Sequence, residues 1–363
     1  SASASASASA SASSASASLR VAVIWSGFLR NKFGGGEEVF KLRNLERCVP
    51  FWDEQLLTPL ASQGHLVDVF VHTWDVDGTR TEHSQGGMPE PTVHTGWHSM
   101  EALNTGLLRS LMSRTAANSV FVHMENYTWR AQRFKEELGY DKWAAWQGPH
   151  RDAYEVLVKL GLWYSVKASF ALVEQAVGQA GGAAAGQQYD VVVRARCDYP
   201  IKLQQPLSLS IDPSNQCKAG KAVTAAINGV SYSLLPKPCD PAWNERCSQT
   251  AGVDCKCGGM AEEIQQSRYI GTNLTNTLTQ MEECRGPLLV FCRGGSVVDD
   301  NFAIGTYESM KRYSNIFDHA ELFTQLSMLL PSPIEAERWV AMNSLLSNVR
   351  TYYFSATEWF KLG

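Results

Sequence analysis

The segment Tyr189-Asp190-Val191-Val192-Val193-Arg194-Ala195-Arg196-Cys197-Asp198 closes a β-branched run with two arginines and an aspartate. A guanidinium is a planar fork of donors that matches phosphate or carboxylate, and a carboxylate supplies the oxygen that a hard divalent cation takes. Arg194 and Arg196 alternate with Ala195, so in an extended strand they share a face. Asp198 follows the strand, at the rim where open α/β sheets bind ligands. The three together suit a phosphate-bearing ligand, with Asp198 as metal ligand and both arginines as anion holders. A structural ion-pair network is the alternative.

A second acidic pair, Asp299-Asp300, precedes Asn301-Phe302-Ala303-Ile304-Gly305. We assign it the catalytic position. Adjacent residues of a strand face opposite ways, so one of the two enters a cleft, and Asp300 is the choice, as a base or a ligand for an attacking hydroxyl. The alternative is a cap for the helix expected from Thr306. Ser26-Gly27 permits close backbone approach, and Arg30 adds a positive head nearby. His72, Trp74 and Asp75 end another apolar run and complete the ligand-binding candidates. His72 as a satisfied structural histidine and Trp74 as core are the alternatives.

The elements that position these residues follow from periodicity. Residues 19–24 (LRVAVI) are short, apolar and β-branched and stop at Ser26-Gly27, as a buried parallel strand does. Further strands are expected at 66–72, 119–123 and 189–194. A surface helix is expected within 37–60, and a longer one over 153–177, where Val156, Leu160, Trp163, Val166, Phe170, Val173 and Val177 step by three or four. Strand, helix, strand in this order implies a parallel crossover. Residues 200–295 read as an irregular Cys-rich insertion, with a turn at Asn228-Gly229. Regular structure resumes over 296–303, followed by helices near 306–313, 320–330 and 334–346. The expected organisation is a Ser/Ala linker or stem over residues 1–18 and one α/β catalytic domain over 19–363.

The chain has 363 residues, 44% of them hydrophobic, and a formal charge of only −4. Such a balance argues against nucleic acid as a partner, since no cationic excess exists to displace counterions from phosphates. No run approaches the roughly 18 apolar residues of a membrane span. Membrane contact is expected only through an N-terminal anchor ahead of Ser1. Eight of the nine cysteines fall between Cys197 and Cys292, with Cys48 apart. That clustering predicts at least three local disulfides, with a zinc site of Cys239, Cys247, Cys255 and Cys257 as the rival. Two Asn-x-Thr sequons, at Asn126 and Asn273, add to the expectation of an oxidising lumen.

Four segments read together carry a resemblance: VAVIWSGFLR, VDVFVHTWD, LWYSVKASFALVEQ leading into YDVVVRARCDYPI, and VVDDNFAIGTYESMKRY with HAEL behind it. In order and spacing they resemble a family of GT-A-like glycosyltransferases of algae, large viruses, plants and bacteria. The resemblance implies a Rossmann-type, mostly parallel sheet flanked by helices. It also implies a nucleotide-sugar donor and a glycan or glycoprotein acceptor, and with the cysteines and sequons the expected setting is the secretory lumen, in the Golgi. Family members carry Arg-Pro-Asp where this chain has Arg196-Cys197-Asp198. The implied metal, Mn²⁺ or Mg²⁺, would rest on Asp198 with His319 as a late ligand. Two rival readings are a non-catalytic glycan-binding domain and a sulfotransferase. The second lacks its Gly-rich Lys-Ser/Thr phosphate loop.

Overall fold

A computed structural model describes residues 18–29, 45–76, 102–139, 153–179, 188–197, 203–217, 220–227, 229–234, 285–293, 297–327, 339–340, 343 and 349–355. Arg30, Asp198 and Asn273 lie outside the described residues, as do residues 1–17 and the four cysteines of the rival zinc site.

β1 (Arg20–Ser26), β2 (Leu66–Trp74), β3 (Ser119–Glu125) and β4 (Val191–Ala195) are parallel, in the spatial order β3-β2-β1-β4. β9 (Val297–Gly305) runs antiparallel between β4 and β8 (Arg285–Arg293). β10 (Val349–Ser355) then adds parallel to β8, completing seven strands. The α/β class and the mostly parallel sheet agree with the sequence expectation.

Both faces of β1 are buried, which is why its sequence is continuously apolar rather than alternating. Val21, Val23 and Trp25 pack on one face with α1 (Leu45–Trp52), which continues through a π turn over Asp53–Leu57 into α2 (Thr58–Ser62). Ala22 and Ile24 pack on the other face with α5 (Ala153–Gln179). Leu160, Trp163, Val166, Phe170 and Val173 of α5 are all buried, as their spacing predicts. α3 (Thr105–Met112) joins the first face, and α4 (Tyr127–Leu138), α6 (Tyr307–Ser314) and α7 (Ala320–Ser327) join the second. The path from β1 to β2 therefore runs over one face and the path from β3 to β4 over the other. Between β1 and β4 the sheet has its topological switch point, the crevice where such sheets bind ligands.

The region expected to be irregular contains an ordered meander. β5 (Ser208–Cys217), β6 (Gly220–Ile227) and β7 (Val230–Ser233) form a three-stranded antiparallel sheet. Ile227 pairs with Val230 across a tight turn in which Gly229 takes φ +80°, so the Asn-Gly signal marks a real hairpin. Leu209, Val223 and Ala225 join the core, and Gln63 and His65 bond the Leu207 and Leu209 backbone.

The cysteine expectation requires correction. Cys197 does not pair within the later cluster: it is disulfide-bonded to Cys48 of α1, at a Cα–Cα distance of 5.4 Å. Counting cysteines along the chain grouped Cys197 with its sequence neighbours, whereas the fold lays α1 against the end of β4. No helix among the described residues is long and apolar enough to cross a membrane.

Candidate functional site

Ser26 and Gly27 end β1 at the switch point. Gly27 takes φ +107°, a left-handed conformation that side chains avoid, and its N–H donates to Ser165 Oγ of α5 at 2.7 Å. Across the crevice, Arg196 is fixed by its backbone. Its N–H donates to the Asn301 carbonyl at 3.1 Å, and its own carbonyl accepts from Trp52 Nε1 at 2.9 Å. The neighbouring Cys48–Cys197 bond ties the same turn to α1.

The Arg196 side chain reaches Asp300, with Nη1 to Oδ2 at 3.1 Å. Asp300 is buried, and Arg196 keeps 19% of its side chain exposed. β9 supplies the aspartate through an irregularity. Val290 pairs with Ala303 and Cys292 with Val298, so two steps along β8 span five along β9. Such a bulge re-aims side chains, and it breaks the alternation used to choose between Asp299 and Asp300. The expected helix cap is Thr306, whose hydroxyl accepts from Ser309 N, so Asp300 is not needed there.

The two arginines have different surroundings, Arg194 inside β4 and Arg196 just beyond its end. Arg194 is completely buried beneath α5 and α6, donating from Nη1 to Tyr313 Oη at 3.2 Å. Its guanidinium carbon stands 5.6 Å from the Trp163 ring and 5.8 Å from the Tyr313 ring. These are cation–π distances inside a core. Arg194 is thus an interior residue, whereas Arg196 keeps part of its side chain exposed.

Trp74 and Asp75 also serve the fold. Trp74 is buried among Phe28, Tyr127 and Tyr164. Asp75 secures the start of α4, accepting from Tyr127 N at 3.0 Å and from Asn126 Nδ2 at 2.7 Å. Asn126 is the N-cap of that helix, accepting from Trp129 N at 2.7 Å. The first sequon therefore sits at an exposed helix start with its amide engaged on both sides. His319 lies in a 3₁₀ turn, its ring 5.8 Å from that of Phe323, and no metal-ligating group among the described residues includes it.

His72 belongs to a second constellation, at the ends of β2 and β3. Its Nδ1 is 2.7 Å from Ser165 Oγ and its Nε2 is 3.2 Å from Glu125 Oε2. Glu125 Oε1 accepts from Arg130 Nε at 3.0 Å and from Tyr164 Oη at 3.2 Å. Burial drives the His72 pKa below its ordinary value, against the pull of Glu125. For Glu125, burial pushes upward but is outweighed by hydrogen bonds from His72, Tyr164 and Arg130, leaving it at about 2. Burial and the neighbouring Glu125 raise Tyr164 to about 12.

Sequence reading missed His123 and Glu125 as site residues. A signal existed: Val69-Phe70-Val71-His72 and Val120-Phe121-Val122-His123 are the same tetrapeptide, and the two strands pair in that register. No known protein family matches this chain, and no curated protein matches it.

Proposed function

We propose that the chain is a nucleotide-sugar-dependent glycosyltransferase with a GT-A-like core, acting on a glycan or glycoprotein acceptor. The observation that carries this reading is the switch point. A glycine-turned strand end, Ser26-Gly27, closes β1, and just past the end of the paired strand β4 stands a fixed, partly exposed guanidinium, Arg196. Diphosphate binding asks for a planar cation of this kind at the ligand crevice of an α/β sheet. A Rossmann-type sheet with helices on both faces and one antiparallel strand beyond β4 accords with the GT-A-like arrangement.

In this reading Arg196 holds the donor diphosphate, and Asp300 orients Arg196. The contact between them draws Asp300 toward the donor side, away from the acceptor-base role that its sequence position suggested. Asp300 is already paired to a guanidinium, which is not by itself a cation site, and Asp198 lies outside the described residues. A secretory, Golgi setting is supported by the Cys48–Cys197 disulfide, since such bonds persist in oxidising compartments.

The test is release of nucleoside diphosphate from a panel of nucleotide sugars by the purified protein, with Arg196→Ala as control. Donor-specific release that the variant loses is expected. Glycan binding with no turnover of any donor would instead mark a non-catalytic glycan-binding domain.

A further inference from the structure

We propose that His72, His123 and Glu125 form a binding site for a zinc-class divalent cation at the carboxyl ends of β2 and β3. The site lies beside the switch point, linked to it through Ser165, and metal binding there does not depend on sugar transfer. His72 and His123 are register partners on adjacent parallel strands, so their side chains leave the same face, with ring centroids 5.6 Å apart. Glu125, two residues beyond His123, returns to that face by the period of a strand.

The three ligand atoms lie within 4.8 Å of one another. Tetrahedral coordination at roughly 2.0–2.1 Å places ligands about 3.3 Å apart, so adjustment of the exposed His123 closes the set. Two imidazoles and a carboxylate suit zinc, whereas magnesium and calcium prefer oxygens alone.

The surroundings match what metal ligands require. A metal-bound histidine gives its other ring N–H to an acceptor that fixes tautomer and orientation. Ser165 Oγ fills that role 2.7 Å from His72 Nδ1. The same oxygen accepts from Gly27 N at 2.7 Å and donates to the His72 carbonyl at 3.3 Å, which uses its full capacity. Arg130 and Tyr164 hold Glu125 Oε1 and leave Oε2 directed at His72. His72 is wholly buried and His123 exposed, so a fourth coordination position opens toward solvent. Without a cation the alternative tautomer also satisfies the chain, with His72 Nε2–H donating to Glu125 and the Ser165 hydroxyl donating to Nδ1. Occupancy of the site therefore changes the His72 tautomer.

The experiment titrates ZnCl₂ into the chelator-stripped full chain by calorimetry, with Co²⁺ as a spectroscopic substitute. One equivalent is expected to bind. His123→Ala, an exposed edge-strand change that leaves the melting curve unaltered, should weaken binding at least about 100-fold, and Ser165→Ala about 10- to 100-fold. Histidine ¹⁵N spectra should show the proton of one buried imidazole moving to Nδ1 as zinc is added. The proposal is overturned if the wild type takes up no zinc, or if uptake is unchanged in His123→Ala. A thiolate-to-cobalt charge-transfer band lost with cysteine substitution would also overturn it, moving the metal to the cysteines.

Discussion

Arg196 Nη1 stands 3.1 Å from Asp300 Oδ2, bridging the end of β4 to the bulge of β9. The aspartate is the more buried partner, so removing the arginine strands a carboxylate inside the protein. Arg196→Ala should therefore cost about 1–3 kcal/mol in urea unfolding, and adding Asp300→Asn should return part of that loss. Strictly additive costs would show the two side chains to be uncoupled.

The same contact makes a functional prediction. If Asp300 orients Arg196 on the donor, Asp300→Asn should weaken nucleotide binding in parallel with Arg196→Ala. Calorimetry with nucleoside diphosphate measures both. Unchanged nucleotide affinity together with a turnover loss of roughly two to four orders of magnitude would return Asp300 to the role of acceptor base.

Arg194 should behave as a core residue. Its Nε and Nη2 have no hydrogen-bond partner among the described residues, and buried ionic groups are often replaced by hydrophobes of similar volume without loss. Arg194→Met should leave nucleotide affinity unchanged and keep stability within about 1 kcal/mol of wild type or above it. Loss of nucleotide binding in a folded variant would reinstate it as a ligand residue.

Alkaline stability should depend on Tyr189, whose hydroxyl donates to Asp68 Oδ2 at 2.8 Å. Burial and the Asp68 carboxylate raise its pKa above the ordinary 10.0. The folded state thus favours the protonated phenol. Its contribution is fully present below pH 10 and declines as pH rises toward the folded pKa. Denaturant unfolding between pH 8 and 11 should show this decline, and Tyr189→Phe should flatten it.

Removing the Cys48–Cys197 bond should lower stability by about 2–5 kcal/mol, because a long loop is released in the unfolded chain. Thermal melts of the Cys48→Ala/Cys197→Ala protein read the loss. Arg196 directly precedes the disulfide-bonded Cys197, so nucleotide affinity should fall as well. A melt unaffected by the double substitution would contradict the expectation.

β1 and β4 were legible because burial on both faces writes them as unbroken apolar runs, Val21–Trp25 and Val191–Val193. α5 was legible because five buried side chains share one stripe. The site was less so. Alternation gave no sign that α5 and α6 would cover Arg194 completely while Arg196 stayed partly exposed. The bulge that aims Asp300 leaves no mark in the sequence, since it arises from pairing with β8. Whether His72 had a partner depended on β3 lying beside β2 in one register, a tertiary fact hidden in a repeated tetrapeptide until the strands are paired. Cys48 found its partner the same way, through the docking of α1 on the end of β4.

That disulfide joins residues 149 positions apart, and this imposes an order on biosynthesis. A ribosome adding roughly 5–20 residues per second needs about 7–30 seconds to pass from one cysteine to the other. Throughout that interval the Cys48 thiol has no native partner. β1, β2, β3 and α1 lie wholly ahead of Cys197 and are synthesised first, and the bond can then only staple an arrangement those segments have begun to form. Cys197 in turn is followed by seven further cysteines, any of which can take its place if α1 is late. For this chain, correct oxidation depends on the first helix docking before the later thiols arrive.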